Sequence, residues 1–168
     1  MKYGINPNHL LKYVIEPTLQ KLQLDSQSAR ILVLGTAMVE SSLFHLKQIP
    51  NGPALGIYCC EPKTHQDLLH WLRWPQNAYL VHMLNQIVID AFDRETNLCA
   101  NLMYATAICR LDYRREKERL PAVNDVEGMA SYHKRYYNSA LGKTDVSKSV
   151  DHFHAAMKEV LGEHFALV

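Results

Sequence analysis

From Ile31 to Val39 the chain reads Ile-Leu-Val-Leu-Gly-Thr-Ala-Met-Val, and the next residue is a carboxylate, Glu40. Wound as a helix, this run is apolar on nearly every side. A helix without a polar face has to be covered all round. The segment therefore predicts a central buried helix, opened by Asp25 or Ser26, with the rest of the chain packed around it. Gly35 and Thr36 interrupt the run, and it falls far short of the roughly 20 apolar residues that cross a bilayer. No membrane span is expected.

The remaining pattern is mainly helical. Asn8 is placed to cap a first helix with Leu10, Leu11, Val14 and Ile15 inward, which Pro17 breaks or restarts. Pro50-Asn51-Gly52-Pro53 is a turn signal, and Leu55-Gly56-Ile57-Tyr58 predicts one small β-hairpin arm. Pro62 suits the first position of a helix carrying Leu68, Leu69 and Trp71. Beyond Pro75, the spacing of Tyr79, Met83, Ile87 and Phe92 marks an inward face, with Leu80, Leu84 and Ala91 beside it.

The longest helix is expected over 97–120, with Leu98, Leu102, Ala105, Ile108 and Leu111 inward. Its charged end would form a solvated face, with Arg114 paired to Glu118 and Asp112 to Arg115. Asn124 or Asp125 caps a helix ending at Tyr136-Tyr137-Asn138. Gly142 then precedes a last helix from about Asp145 to Leu161. The expectation is α+β but mainly α: about seven or eight helices around the central one, in a single domain over 1–168.

At 168 residues the chain can bury about 70% of its unfolded surface, so it needs no disulfide or metal staples. Its 18 Lys and Arg against 17 Asp and Glu give a net charge of +1, which argues against nucleic acid as a partner and suits an uncharged polymer. Met1 to Tyr13 lacks the apolar region of a secretion signal, so the expectation is synthesis and retention in the cytoplasm, or exit from it without a conventional signal. Cys59, Cys60, Cys99 and Cys109 show no zinc-ligand spacing and read as free, mostly buried thiols, with a disulfide between segments left open. The histidines sit in no metal-binding frame; His152 and His154, two apart, fall on different sides of a helix. No phosphate-cradling glycine loop and no serine-nucleophile turn is present, and neither a metal nor a cofactor is expected.

Glu40 is the candidate for chemistry. Cleaving a glycosidic bond needs an acid still protonated near neutral pH. A carboxyl leaving an apolar helix meets that need through desolvation. The competing role for a glutamate at a helix end is a hydrogen-bonded structural one.

Val39-Glu40-Ser41-Ser42, then Gly52-Pro53-Ala54-Leu55-Gly56-Ile57-Tyr58 and Glu61-Pro62-Lys63-Thr64, resembles the lytic transglycosylase and goose-type lysozyme superfamily. Ala130 to Asn138 resembles the family's Ala-Tyr-Asn segment. The likeness is nearest to small lysozyme-like proteins of tailed bacteriophages, through Gly52–Gly56, Glu61–His65 and Tyr137–Lys143. The resemblance implies a cleft between the Glu40 helix, the 45–60 hairpin and the 124–138 helix.

In that cleft Glu40 would act as acid, then base, on the glycan strand of peptidoglycan. Ser41, Gly56, Tyr58, Glu61, Thr64, Tyr137 and Asn138 would line it. It further implies a protein made in the host cytoplasm and built into a virion beside other particle proteins. One such role is enzymatic; the other is a structural component of tail, baseplate or ejected core that no longer cuts. This sequence departs from the family at Cys59, near the place of a usual Gln. Glu61 then stands either as a compensating second carboxylate or as an exposed cap beside Pro62.

Overall fold

The computed structural model describes residues 4–138 and 146–162, and over them the chain is mainly helical. Asn6, not Asn8, caps α1 (Pro7–Leu10), its side chain accepting from the His9 N–H. Pro7 takes the first turn, where its missing N–H costs nothing. One wide turn of π-helix over Leu11–Ile15 leads directly into α2 (Glu16–Lys21), so Pro17 sits at a helix start and the path is not broken. Ser26 caps α3 (Gln27–Ser41) through the Ala29 N–H. Arg30 then ties α3 back, with two bonds to Asp25 and one to Glu16 on α2.

The central helix is as buried as its sequence requires. Ile31, Leu32, Val33, Leu34, Ala37 and Met38 are fully buried, and the one internal hydroxyl, Thr36, bonds the Leu32 carbonyl and the Tyr113 hydroxyl. Gly35 explains how a late element covers this helix. A Cβ there would lie 2.2 Å from the Phe153 ring, so α9 (Val146–Leu161) packs against α3 where the side chain is missing. Met129 and Ala130 of α8 (Val126–Tyr136) join the same core cluster.

A second cluster forms around Leu68 and Leu72 of α4 (Pro62–Leu72) and Leu80 and Leu84 of α5 (Ala78–Asn85), with a 3-10 turn over Pro75–Asn77 between them. Leu98 of α6 (Arg94–Ala100) and Tyr104, Ile108 and Leu111 of α7 (Leu102–Arg114) complete it. No helix among the described residues is long and apolar enough to cross a membrane.

Further expectations need correction. The small β-hairpin is not formed. Among the described residues, segment 45–60 holds only the isolated bridges Lys47–Leu55 and Leu55–Cys60. Gly56 and Cys59 have positive φ there, and so twisted a path cannot sustain a ladder.

The helix expected over 97–120 is two helices. Asn101 turns extended between them, its side chain capping Tyr104 N–H and bonding the Ile87 carbonyl. The chain also leaves helix after Arg114. Asp112 and Arg115 do pair, but Glu118 meets Arg135 instead of Arg114.

On α5 the inward face is Leu80 and Leu84, one position off the expected Tyr79 and Met83; Ile87 beyond the helix is buried as expected, while Tyr79 and Phe92 are exposed. Of the two caps the sequence offers for α8, Asp125 is the one used, accepting from the Gly128 N–H. Gly142, the stretch 139–143 and the Asp145 helix start lie outside the described residues.

Candidate functional site

Glu40 occupies the last turn of α3, where the buried helix reaches the surface. The backbone turns sharply after it, with Ser42 and Leu43 both at positive φ. Its side chain is 16% exposed, and Oε1 lies 2.9 Å from Nε2 of His133, which is fully buried on α8. The carboxylate is thus half-covered and held from one side, leaving Oε2 as the oxygen the imidazole does not engage.

His133 is fixed by rings. It stacks on Tyr137 (centroids 5.8 Å apart, planes at 21°), and Tyr137 in turn stacks on Tyr113 at 5.3 Å. Phe153 of α9 closes another side at 5.7 Å. The other imidazole nitrogen, Nδ1, is buried with no hydrogen-bond partner.

Loop 54–60 forms the opposite wall, pinned by three bonds. The Ser41 hydroxyl lies 2.7 Å from the Ile57 carbonyl, the Tyr137 hydroxyl donates to the Tyr58 carbonyl at 2.8 Å, and the Cys59 thiol donates to the Glu40 carbonyl at 3.3 Å. Gly56 makes the turn possible, at φ +72° with its Cα against the Leu98 carbonyl. Only glycine adopts that conformation without strain.

The groups around Glu40 are held neutral. Burial, reinforced by the nearby Glu40 carboxylate, pushes the Cys59 thiol up to about 12. Burial also raises Tyr113 and Tyr137 well above the usual phenol value.

Glu40, Ser41, Tyr58 and Tyr137 come together, in different capacities. Ser41 is buried, with its hydroxyl shared among the Ala37 and Ile57 carbonyls and the Leu43 N–H. Tyr58 turns its ring into the core, 1% exposed, and bonds Thr106. That side chain has no surface to offer a ligand; its backbone carbonyl is what joins the site. Tyr137 reaches that carbonyl rather than the Glu40 carboxylate, and Asn138 follows it, half-buried.

Glu61 and Thr64 stand apart at the start of α4, with no hydrogen bond or ion pair to Glu40. Glu61 is exposed in the cap position but makes no capping bond, while Pro62 fills the first turn. All four cysteines are free thiols, with Cys60 and Cys109 buried. No cluster that could hold a metal is found among the described residues.

Sequence reasoning missed His133. Its only signal was position: it precedes Tyr137 by four residues, so both lie on one helix face pointing at the site.

A separate cavity of about 390 Å³ lies between α4 and α6, lined by Pro62, His65, Gln66, Arg94 and Leu98. His65 there bonds the Tyr104 hydroxyl at 2.7 Å, and burial, aided by Arg94, lowers it to about 4. It is a neutral imidazole at neutral pH.

Compared with family models, with curated proteins and with solved structures, the chain finds no match in any of the three.

Proposed function

We propose that this protein cleaves the glycan strand of peptidoglycan, as a lytic transglycosylase or muramidase, with Glu40 as its general acid and base. The observation that carries the reading is the setting of Glu40: a half-covered carboxylate at the end of a buried helix, one oxygen held at 2.9 Å by an imidazole and walled by the 54–60 loop. Its neighbours Cys59, Tyr113 and Tyr137 are kept uncharged. A carboxyl so placed suits proton delivery to a leaving glycosidic oxygen.

In the transglycosylase route, protonated Glu40 gives its proton to the oxygen leaving between N-acetylmuramic acid and N-acetylglucosamine. The resulting carboxylate then takes the proton of the muramic acid 6-hydroxyl as that oxygen closes on C1, forming a 1,6-anhydro ring. The acid is regenerated and no second carboxylate is consumed. In the hydrolytic route water replaces the 6-hydroxyl.

The sequence resemblance extends this reading to a phage particle. The chain would be made in the host cytoplasm, assembled with other virion proteins, and would open the wall locally. A second reading, a lysozyme-like virion component that no longer cuts, is favoured by one observation. Where the family carries a Gln, Cys59 turns its thiol back onto the Glu40 backbone, and a thiol is a weak partner for a sugar.

Dye release from purified peptidoglycan separates the two. Activity in the wild type and its loss in Glu40→Gln is the expected result. Activity that survives Glu40→Gln at the wild-type level removes Glu40 from the mechanism, and inactivity of both proteins on several bacterial walls favours the structural role. Mass spectrometry of the products distinguishes anhydro from reducing ends.

A further inference from the structure

We propose that His133 is the positioning residue of this site: as a neutral imidazole it donates its Nε2–H to Oε1 of Glu40 and so leaves Oε2 to carry the transferable proton. The inference rests on reading Glu40 as the acid, and it assigns the second partner that reading lacks.

The 2.9 Å separation requires a proton between Nε2 and Oε1. Three arrangements supply one. A neutral imidazole protonated at Nε2 donates to the carboxyl, a neutral imidazole protonated at Nδ1 accepts from it, or an imidazolium donates. The last two both place a hydrogen on Nδ1, which is buried without a partner. A buried N–H with no acceptor is among the rarest defects in folded proteins, whereas an unused lone pair is better tolerated. The Nε2–H form is the arrangement that leaves no donor stranded.

That form suits both stages of the reaction. With Glu40 protonated, Oε1 is the carbonyl oxygen and accepts from Nε2, so the acid hydrogen resides on Oε2. With Glu40 ionised, the same N–H stabilises the carboxylate without moving. The ring stack of Tyr113, Tyr137 and His133, closed by Phe153, keeps the donor aimed. The titratable groups facing the pair are Cys59 from the loop, Tyr113 from α7 and Tyr137 after α8, while α9 presents the Phe153 ring. Burial keeps all three of those groups uncharged.

Two variants and one spectroscopic measurement test this. His133→Gln keeps an N–H donor near the same reach; His133→Phe keeps a ring and removes the donor. On sonicated peptidoglycan, His133→Phe is expected to lower kcat by about tenfold to a hundredfold with KM little changed. His133→Gln is expected to restore most of kcat and retain the wild-type shape of the pH profile. Equal kcat and an unchanged profile in His133→Phe would reduce His133 to packing. A limb of the pH profile missing in His133→Gln would show that His133 itself ionises, and would overturn the neutral form.

Nitrogen-detected NMR of the wild-type imidazole needs no activity and no variant. A protonated Nε2 with an unprotonated Nδ1 is expected at pH 8, and a proton on Nδ1 there refutes the assignment. If the wild type cuts no peptidoglycan, the proposed activity fails, while the NMR result still decides the tautomer.

Discussion

The Cα of Gly56 faces the carbonyl oxygen of Leu98 so closely that a Cβ would lie 2.2 Å from it, and the backbone there is at φ +72°. The loop that walls Glu40 is thereby seated on the end of α6. Gly56→Ala meets both a left-handed backbone and a backbone atom that cannot rotate away. A loss of at least about 2 kcal/mol in urea unfolding is expected. Peptidoglycan cleavage should fall as well, because the Tyr58 carbonyl and Cys59 move with the turn.

Gly35 and Phe153 make a second such pair, in the core. A methyl group at Gly35 would overlap the Phe153 ring, so Gly35→Ala is expected to cost about 1–3 kcal/mol by overpacking. Phe153→Leu alone leaves a void. Together the two changes should destabilise by less than the sum of the single effects, since each relieves the other's defect. Strictly additive losses in a four-protein thermal series would contradict the contact.

Much of this architecture is legible in the residues. The run Ile31–Val39 dictates a buried helix, because no polar stripe is available to face water. Pro62 opens α4 for a local reason that sequence displays directly. Asn101 is where reading fails. The inward spacing of Leu98, Ala105 and Ile108 fits one uninterrupted helix, and the break comes from side-chain bonds to Tyr104 N–H and the distant Ile87 carbonyl.

The β-hairpin fails for a similar reason. Glycine, proline and alternating apolar residues permit an extended arm, but Gly56 and Cys59 at positive φ fold the segment onto α3 and α6. Glu40 was visible from its helix; His133 was not. Nothing in a local pattern says that a histidine 93 positions later meets it.

Acid stability is expected to depend on two groups acting in opposite directions. His65 is lowered to about 4 by burial. Its unfolded form takes up a proton below the ordinary value of about 6.5, so stability is present above that pH and falls as pH drops from 6.5 to 4. Asp112 is raised to about 6, burial outweighing its Arg115 partner. Its folded form holds a proton that the unfolded form releases, so stability falls as pH rises from about 4 to 6. The two slopes partly cancel. His65→Gln should expose the Asp112 slope, and Asp112→Asn the His65 slope, in urea midpoints taken between pH 4 and 7. Parallel profiles in the three proteins would refute both assignments.

The thiols near the site are expected to be inert in the folded protein. Burial pushes Cys59 and Cys60 to about 12, so little thiolate exists at pH 8. Alkylation mapped by mass spectrometry should label both slowly in buffer and quickly in denaturant. Rapid labelling of Cys59 in the native protein would show that the loop opens readily from Glu40.

Ser41 separates a structural role from a binding one. Its position beside Glu40 reads as a substrate contact, yet its hydroxyl is buried, 2.7 Å from the Ile57 carbonyl, and accepts from the Leu43 N–H. Ser41→Ala leaves that carbonyl and that N–H short of a partner, which costs about 1–3 kcal/mol. The expected result is a lowered urea midpoint with the affinity for peptidoglycan unchanged in a pull-down at temperatures where the variant stays folded. A variant of wild-type stability that binds the glycan several-fold more weakly would place the hydroxyl against substrate instead. Cleavage measured alongside should fall modestly, since the lost bond is one of three that hold the Cys59 wall against the Glu40 helix.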